Sequence, residues 1–217
     1  PLGVIPVENP ATGEVTAELL QASKEDLDHT VEVARDAQKE WANYSLSKRV
    51  AIMFKMRQLV LDHQDEMARL IVEEHGKNYS DAIGEIQRGR ETFDFATAIN
   101  VALKGEYSHD VSTGVDIHTT RQPVGVVAGI CPFNFPAMVP MWMHPLAVAT
   151  GNAFILKPAS PTPSASLLTA ELYKEAGLPD GVFNVLSGDR RSVQDILVHP
   201  GIDAISFVGS TPVAHIV

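Results

Sequence analysis

The chain has 217 residues, of which 45% are hydrophobic and 20% charged, and its formal net charge is −10. This size allows a sizeable core in one or two domains, and no apolar run reaches the ~18 residues of a membrane-spanning helix. The acidic balance argues against a nucleic-acid partner, and one cysteine excludes a disulfide framework and fits a reducing compartment. We therefore expect a cytoplasmic enzyme, or a piece of one, with no membrane partner.

The first element is predicted to be an extended β arm over residues 1–22, in which "ENPATGEV" forms a turn between two short strands. A helical part then covers residues 23–103. Its first helix follows Ser23, and Asp26, three residues on, completes a helix-start signal. Apolar residues repeat at helical spacing along this helix, namely Leu27, Val31, Ala34, Ala37 and Trp41.

Two more helices are predicted in this part. One runs from Ser47 to His75 and stops before Gly76, a residue typical of helix ends. The other runs from about Ser80 to Leu103. A polar connecting segment with β character follows over residues 104–122.

The period of the apolar residues changes in the last part, residues 123–217. Short, mostly β-branched runs occur at 124–130, 153–157, 182–186 and 204–208, and helical stretches at 136–150, 163–176 and 189–198 separate them. This alternation predicts right-handed βαβ units and a parallel sheet covered on both faces. The fold class is therefore α/β, a doubly wound Rossmann-like dinucleotide-binding domain, incomplete and preceded by the arm and the helices. Its ligand is expected at the carboxyl ends of the strands.

Polar or glycine-rich residues follow each strand, as "CPFNFP", "KPAS", "SGD" and "GSTP". There is no G-x-G-x-x-G fingerprint. In its place, Gly209 permits a tight turn, Ser210 or Thr211 can cap the next helix, and Pro212 suits its first turn. The free N–H groups of such a helix start can bind a pyrophosphate. A well-capped helix without a ligand is the alternative.

Lys157 closes the strand "AFILK" directly before Pro158. In that position its ammonium would face the ligand edge and could bind a ribose hydroxyl or a phosphate. A surface lysine with its stem on apolar neighbours is the alternative.

Taken together, "NPATGEV", "PFNFP", "GNAFILKPA", "GLPDGVFNVLSG" and "ISFVGST" occur in an order and at intervals that resemble the aldehyde dehydrogenase superfamily. The resemblance covers essentially the whole chain. Within the superfamily, "GICPFNFPAMVPMWMHPLAVATGN" looks most like the CoA-acylating methylmalonate-semialdehyde dehydrogenases. The resemblance implies NAD as cofactor, a small-molecule semialdehyde and CoA as partners, and a homo-oligomer at full length.

The same resemblance assigns Asn134 of "PFNFP" as the catalytic oxyanion donor. Losing one such donor typically costs about 10²–10³ in rate. Cys131 is not expected to be the nucleophile, because it closes an apolar strand, where cysteine behaves as a small hydrophobe, and because the family's catalytic cysteine lies beyond position 217. The chain is then either a fragment or a degraded relative.

The cofactor-binding residues that we expect are Cys131, Phe133, Lys157, Ser160, Pro161, Gly209 and Ser210. Ser160 stands where the family commonly has a glutamate that accepts the ribose hydroxyls, and this leaves the NAD-versus-NADP preference open. Pro161 replaces a residue that is often arginine in the nearest subfamily.

Arg88 is the expected substrate-binding residue, since the resemblance matches it to an arginine that binds the substrate carboxylate and a guanidinium suits such recognition. A surface ion pair with Glu85 or Glu91 is the alternative. No metal site is expected, because the histidines show no ligand spacing.

The function expected is that of the N-terminal portion of an NAD-dependent, CoA-acylating semialdehyde dehydrogenase. It would convert methylmalonate or malonate semialdehyde to propionyl-CoA or acetyl-CoA with loss of CO₂. The rivals are a hydrolytic aldehyde dehydrogenase for another substrate and a non-catalytic nucleotide-binding module.

Overall fold

The computed structural model describes residues 2–217, so that Pro1, the first residue of the predicted arm, lies outside them. The arm is an antiparallel hairpin of β1 (Gly3–Glu8) and β2 (Val15–Gln21). In its turn, Gly13 has a φ of 74° and donates its N–H to Asn9 O at 2.8 Å. Glycine adopts this left-handed conformation without steric cost.

The first predicted helix is α1 (Lys24–Ala42). Ser23 and Asp26 form a capping box, in which each side chain accepts a hydrogen bond from the other's backbone N–H. At its other end, Trp41 is fully buried and donates Nε1–H to Val148 O at 2.8 Å.

The two longer helical predictions are wrong in one respect, because each region contains two helices. The elements are α2 (Leu46–Asp62), α3 (Gln64–His75), α4 (Tyr79–Thr97) and the short α5 (Ile99–Ala102). The breaks fall at His63 and Ala98, which have φ, ψ values of −99°, 12° and −101°, 12°. This conformation is typical of the third residue of a type I turn and does not require glycine, and neither break has a glycine or proline to mark it.

The polar segment forms a second antiparallel hairpin, β3 (Tyr107–Ser112) and β4 (Val115–His118), and every residue of both strands is exposed.

The last part of the chain forms the parallel sheet. Its strands are β5 (Val126–Ile130), β6 (Ala153–Lys157), β7 (Phe183–Val185) and β8 (Ala204–Phe207), and the helices between and after them are α6 (Met138–Ala149), α7 (Ser164–Ala176), α8 (Arg190–Val198) and α9 (Thr211–Ala214). The strand order is β7-β6-β5-β8, with all pairs parallel. This confirms the predicted fold class. The order reverses between β5 and β8, and such a switch point opens a crevice at the carboxyl ends of the strands.

Helices cover both faces of the sheet. One core joins α1 and α8 to one face through residues such as Leu27, Val126 and Ile196, and the other joins α2, α3, α4, α6 and α7 to the opposite face. Gly89 lets α4 approach α6, since a Cβ there would lie 2.8 Å from Met141 Sδ. Among residues 2–217, no helix is long and apolar enough to cross a membrane.

Candidate functional site

A cavity of about 590 Å³ opens at the switch point, between the carboxyl ends of β5, β6 and β8. Six of the predicted cofactor-binding residues line it, namely Cys131, Phe133, Lys157, Ser160, Gly209 and Ser210. The parallel strands bring these residues together because each follows, or lies at, the carboxyl end of a strand. Sequence reasoning missed Asp189, Arg190 and Phe207, which line the same cavity.

Lys157 is 7% exposed, and its ammonium borders the cavity. Burial lowers the pKa of Lys157, and the nearby Asp189 carboxylate opposes that shift. Within residues 2–217 the ammonium has no hydrogen-bonding partner at its end of β6. A buried amine gains from a polar ligand, so its position suits a ligand that carries hydrogen-bond acceptors.

Cys131 is 6% exposed, and burial raises the pKa of its thiol to about 12. The thiol is therefore protonated at neutral pH and a poor nucleophile. Its Sγ–H points to Met143 Sδ at 3.8 Å, and its backbone N–H donates to Lys157 O at 3.2 Å. These contacts make Cys131 part of the cavity wall.

Ser160 donates its hydroxyl hydrogen to Gly188 O at 2.8 Å, which ties the loop after β6 to the loop after β7. Its oxygen can still accept a hydrogen bond from a ligand hydroxyl. The structure does not bring Pro161 to this cavity. Pro161 and Glu74 line a neighbouring concavity. Phe133 and Ser160 line both this concavity and the cavity at the switch point.

The turn after β8 leads to the short α9, with Ser210 at its N-cap and Pro212 in its first turn. In the described part of the chain, the Ser210 side chain forms no cap hydrogen bond, so its hydroxyl remains available. Gly209 is needed for close approach, because a Cβ there would lie 2.4 Å from the ring of Phe207.

A second concavity, of about 690 Å³, brings together Asn134 and Arg88, the predicted catalytic and substrate-binding residues. Asn134 is exposed, and its side-chain amide forms no hydrogen bond to any residue of the range 2–217. The Arg88 side chain is 69% exposed and forms an ion pair with Glu91 at 3.6 Å. Of the two alternative partners weighed for Arg88, Glu91 is the one in contact.

Glu85, the other alternative, is instead paired with Lys77, and sequence reasoning missed this pair. Glu85 is 3% exposed and shares the buried face of α4 with Ala82, Ile86 and Phe93. A carboxylate on an apolar helix face needs a cation or several N–H donors. The helical spacing of Glu85 with these apolar residues was the signal available in the sequence.

In the part of the chain that is described, no group of three or more His, Cys, Asp or Glu side chains is placed to hold a metal ion.

Known proteins are similar in sequence to almost the whole of this chain. The aldehyde dehydrogenase family model matches residues 3–217. The malonate-semialdehyde dehydrogenase 2 of Geobacillus kaustophilus is 49% identical over 211 residues, which cover 97% of this chain and 44% of that protein. The malonate-semialdehyde dehydrogenase of Pseudomonas aeruginosa is 49% identical over 208 residues, or 96% of this chain and 42% of that protein.

Solved structures give the same picture. A crystal structure of a protein assigned as a methylmalonate-semialdehyde dehydrogenase from Sinorhizobium meliloti, complexed with NAD, matches with a TM-score of 0.97 and 47% identity over 99% of this chain and 44% of that one. A methylmalonate-semialdehyde dehydrogenase from Oceanimonas doudoroffii matches with the same scores. The chain thus spans less than half the length of these relatives.

Proposed function

Because the chain belongs to the aldehyde dehydrogenase family, we propose that it is the cofactor-binding part of an NAD-dependent dehydrogenase for a semialdehyde that carries a carboxylate. The substrate class is malonate or methylmalonate semialdehyde, and CoA takes up the acyl group as CO₂ is lost. Residues 23–103 and 123–217 belong to this cofactor-binding part. We also propose that the full-length protein is cytoplasmic and forms a homo-oligomer.

The cavity at the switch point would hold NAD, which accepts a hydride from the substrate carbon when it is bound. Lys157 would donate to a ribose hydroxyl, and Ser160 Oγ would accept from one. The turn at Gly209 and Ser210 would lie against the pyrophosphate, and the backbone of Cys131 and Phe133 would form the wall. Pro161 would shape the loop that carries Ser160 and would not contact the cofactor itself.

Asn134 would act on the aldehyde. A cysteine thiolate from outside residues 1–217 adds to the carbonyl carbon, and the former carbonyl oxygen becomes negative. The amide N–H of Asn134 donates to that oxygen most strongly once the charge has formed, and only such differential stabilisation raises kcat. The free, exposed amide of Asn134 is available for this contact.

Arg88 would hold the carboxylate at the other end of the substrate. The observation that carries the proposal is that Asn134 and Arg88 line one concavity, so that one short, bifunctional molecule can reach both. The exposed Arg88–Glu91 pair is weak, and a substrate carboxylate can replace Glu91 at little cost.

Arg88→Leu in the full-length protein tests this assignment. We expect kcat/KM for malonate semialdehyde to fall about 10-fold to 100-fold, which corresponds to about 1.4–2.8 kcal/mol, while kcat/KM for propanal, which lacks the carboxylate, stays near its original value. Arg69→Leu, at an exposed position on α3 outside the concavity, is the matched control and should leave both values unchanged.

An equal loss with both aldehydes would make Arg88 a structural residue. Product analysis with and without CoA distinguishes the rival: the proposal expects an acyl-CoA, and a free acid formed at the same rate in both cases would identify a hydrolytic enzyme.

A further inference from the structure

A buried ion pair of the helical layer contacts the loop "PFNFP". Lys77, in the connection between α3 and α4, forms it with Glu85 of α4, and their side chains are only 10% and 1% exposed. Glu85 also accepts from two backbone N–H groups at the start of α6, that of Ala137 at 2.9 Å and that of Met138 at 3.3 Å. The carboxylate therefore has partners on both oxygens.

The Lys77 ammonium makes two further contacts, both with the loop. It donates to the backbone carbonyl oxygen of Asn134 at 3.0 Å, and it lies 4.5 Å from the centroid of the Phe135 ring. A cation over an aromatic face is attracted to the ring. One ammonium thus fixes the main chain of Asn134 and the side chain of the next residue.

The pair is suited to hold Asn134 in place. Breaking a buried ion pair leaves an uncompensated charge, so separation of Lys77 from Glu85 is unfavourable. Because the carboxylate neutralises the ammonium next to it, the field of Lys77 at a neighbouring oxyanion is small. Its effect on the reaction would then pass through the orientation of Asn134.

We propose that Lys77, held by Glu85, is a positioning residue for the Asn134 amide. This inference rests on the oxyanion role proposed above for Asn134. A donor must sit within hydrogen-bond distance of the oxyanion to act, and a misplacement of about 1 Å can cost about 10²-fold in rate.

A double-mutant cycle in the full-length protein tests the inference, with the rate constant of the pre-steady-state burst of NADH as the readout. Lys77→Met removes the ammonium and should slow the burst about 10-fold to 100-fold, with the Kd for NAD unchanged. Lys77→Arg keeps a charge and donors and should recover most of the rate. Lys39→Met, at an exposed lysine paired with Asp36 on α1, is the control and should behave as wild type.

The decisive variant is Asn134→Ala/Lys77→Met. If Lys77 acts through Asn134, the double variant is no slower than Asn134→Ala alone, because contacting residues that act as a unit are not additive. Additive losses would show that Lys77 acts on its own and would overturn the inference. If Lys77→Met does not fold, Lys77→Gln takes its place in the cycle.

The two proposals can fail separately. A slow Asn134→Ala burst with a normal Lys77→Met burst removes the positioning role and leaves the oxyanion role intact. A normal Asn134→Ala burst removes both.

Discussion

At the starts of α6 and α7, a buried glutamate accepts hydrogen bonds from backbone N–H groups, but only one of the two glutamates is paired with a lysine in the described chain. In the described chain, neither helix has a cap from its own N-cap residue, Ala137 or Pro163. A buried glutamate from the helical layer serves each instead: Glu85 accepts from the first N–H groups of α6, and Glu74 accepts from the N–H of Ser164 at 3.1 Å and from its hydroxyl. Both carboxylates satisfy helix-end donors and complement the helix dipole.

The difference lies in the cation. Glu85 has Lys77, whereas Glu74 forms no ion pair with any residue between positions 2 and 217, and burial raises its pKa. A buried carboxylate can therefore cap a helix without a cation. The extra ammonium is found at the helix whose preceding loop carries Asn134. This comparison indicates that Lys77 serves the loop rather than the helix start.

The largest expected difference between the two helix starts is in the stabilities of two alanine variants. Glu85→Ala leaves Lys77 unpaired in a buried site and should lower the free energy of unfolding by about 3–5 kcal/mol. Glu74→Ala removes a cap without leaving a charge behind and should cost about 0.5–2 kcal/mol. Urea unfolding of the full-length protein measures both. Equal losses would mean that the cation contributes nothing to the difference between the two helix starts.

A smaller effect is expected in the pH dependence of stability at the start of α7. Because burial raises the pKa of Glu74, the folded state binds more protons than the unfolded state above pH 4.5, the ordinary value for this group. Stability should then fall as the pH rises from that value to the raised pKa. Glu74→Gln keeps an acceptor oxygen and removes the titration. Its midpoint of thermal unfolding should gain on that of wild type across this window, whereas parallel curves for the two proteins would contradict the assignment.

Much of the fold could be predicted because burial on both faces leaves a strong pattern. The run "AFILK" was predicted at 153–157 and is β6, Ala153–Lys157. The pattern is clear because every residue of this central strand before Lys157 is apolar. The predicted run 182–186 exceeds β7 by one residue at each end, although Val182 O still accepts from the Phe154 N–H and the Leu186 N–H still donates to Leu156 O. The breaks at His63 and Ala98 had no composition signal.

The grouping of the candidate site residues was predictable only where they follow strand ends. Lys157, Ser160 and Ser210 reach one cavity because parallel strands align their carboxyl ends, whereas Pro161, next to Ser160, turns to another concavity. The Lys77–Asn134 contact spans 57 positions. Such a contact depends on how α4 packs on α6, which spacing within either helix does not reveal.

In the proposed function, the amide of Asn134 stabilises charge on the aldehyde oxygen. The most direct test is the burst rate constant of NADH formation in full-length Asn134→Ala, before CoA enters the reaction. This role predicts a fall of about 10²–10³-fold with the Kd for NAD nearly unchanged, and at least as large a fall for Asn134→Asp, whose ionised carboxylate has no donor. A wild-type burst rate in a correctly folded Asn134→Ala protein would contradict it.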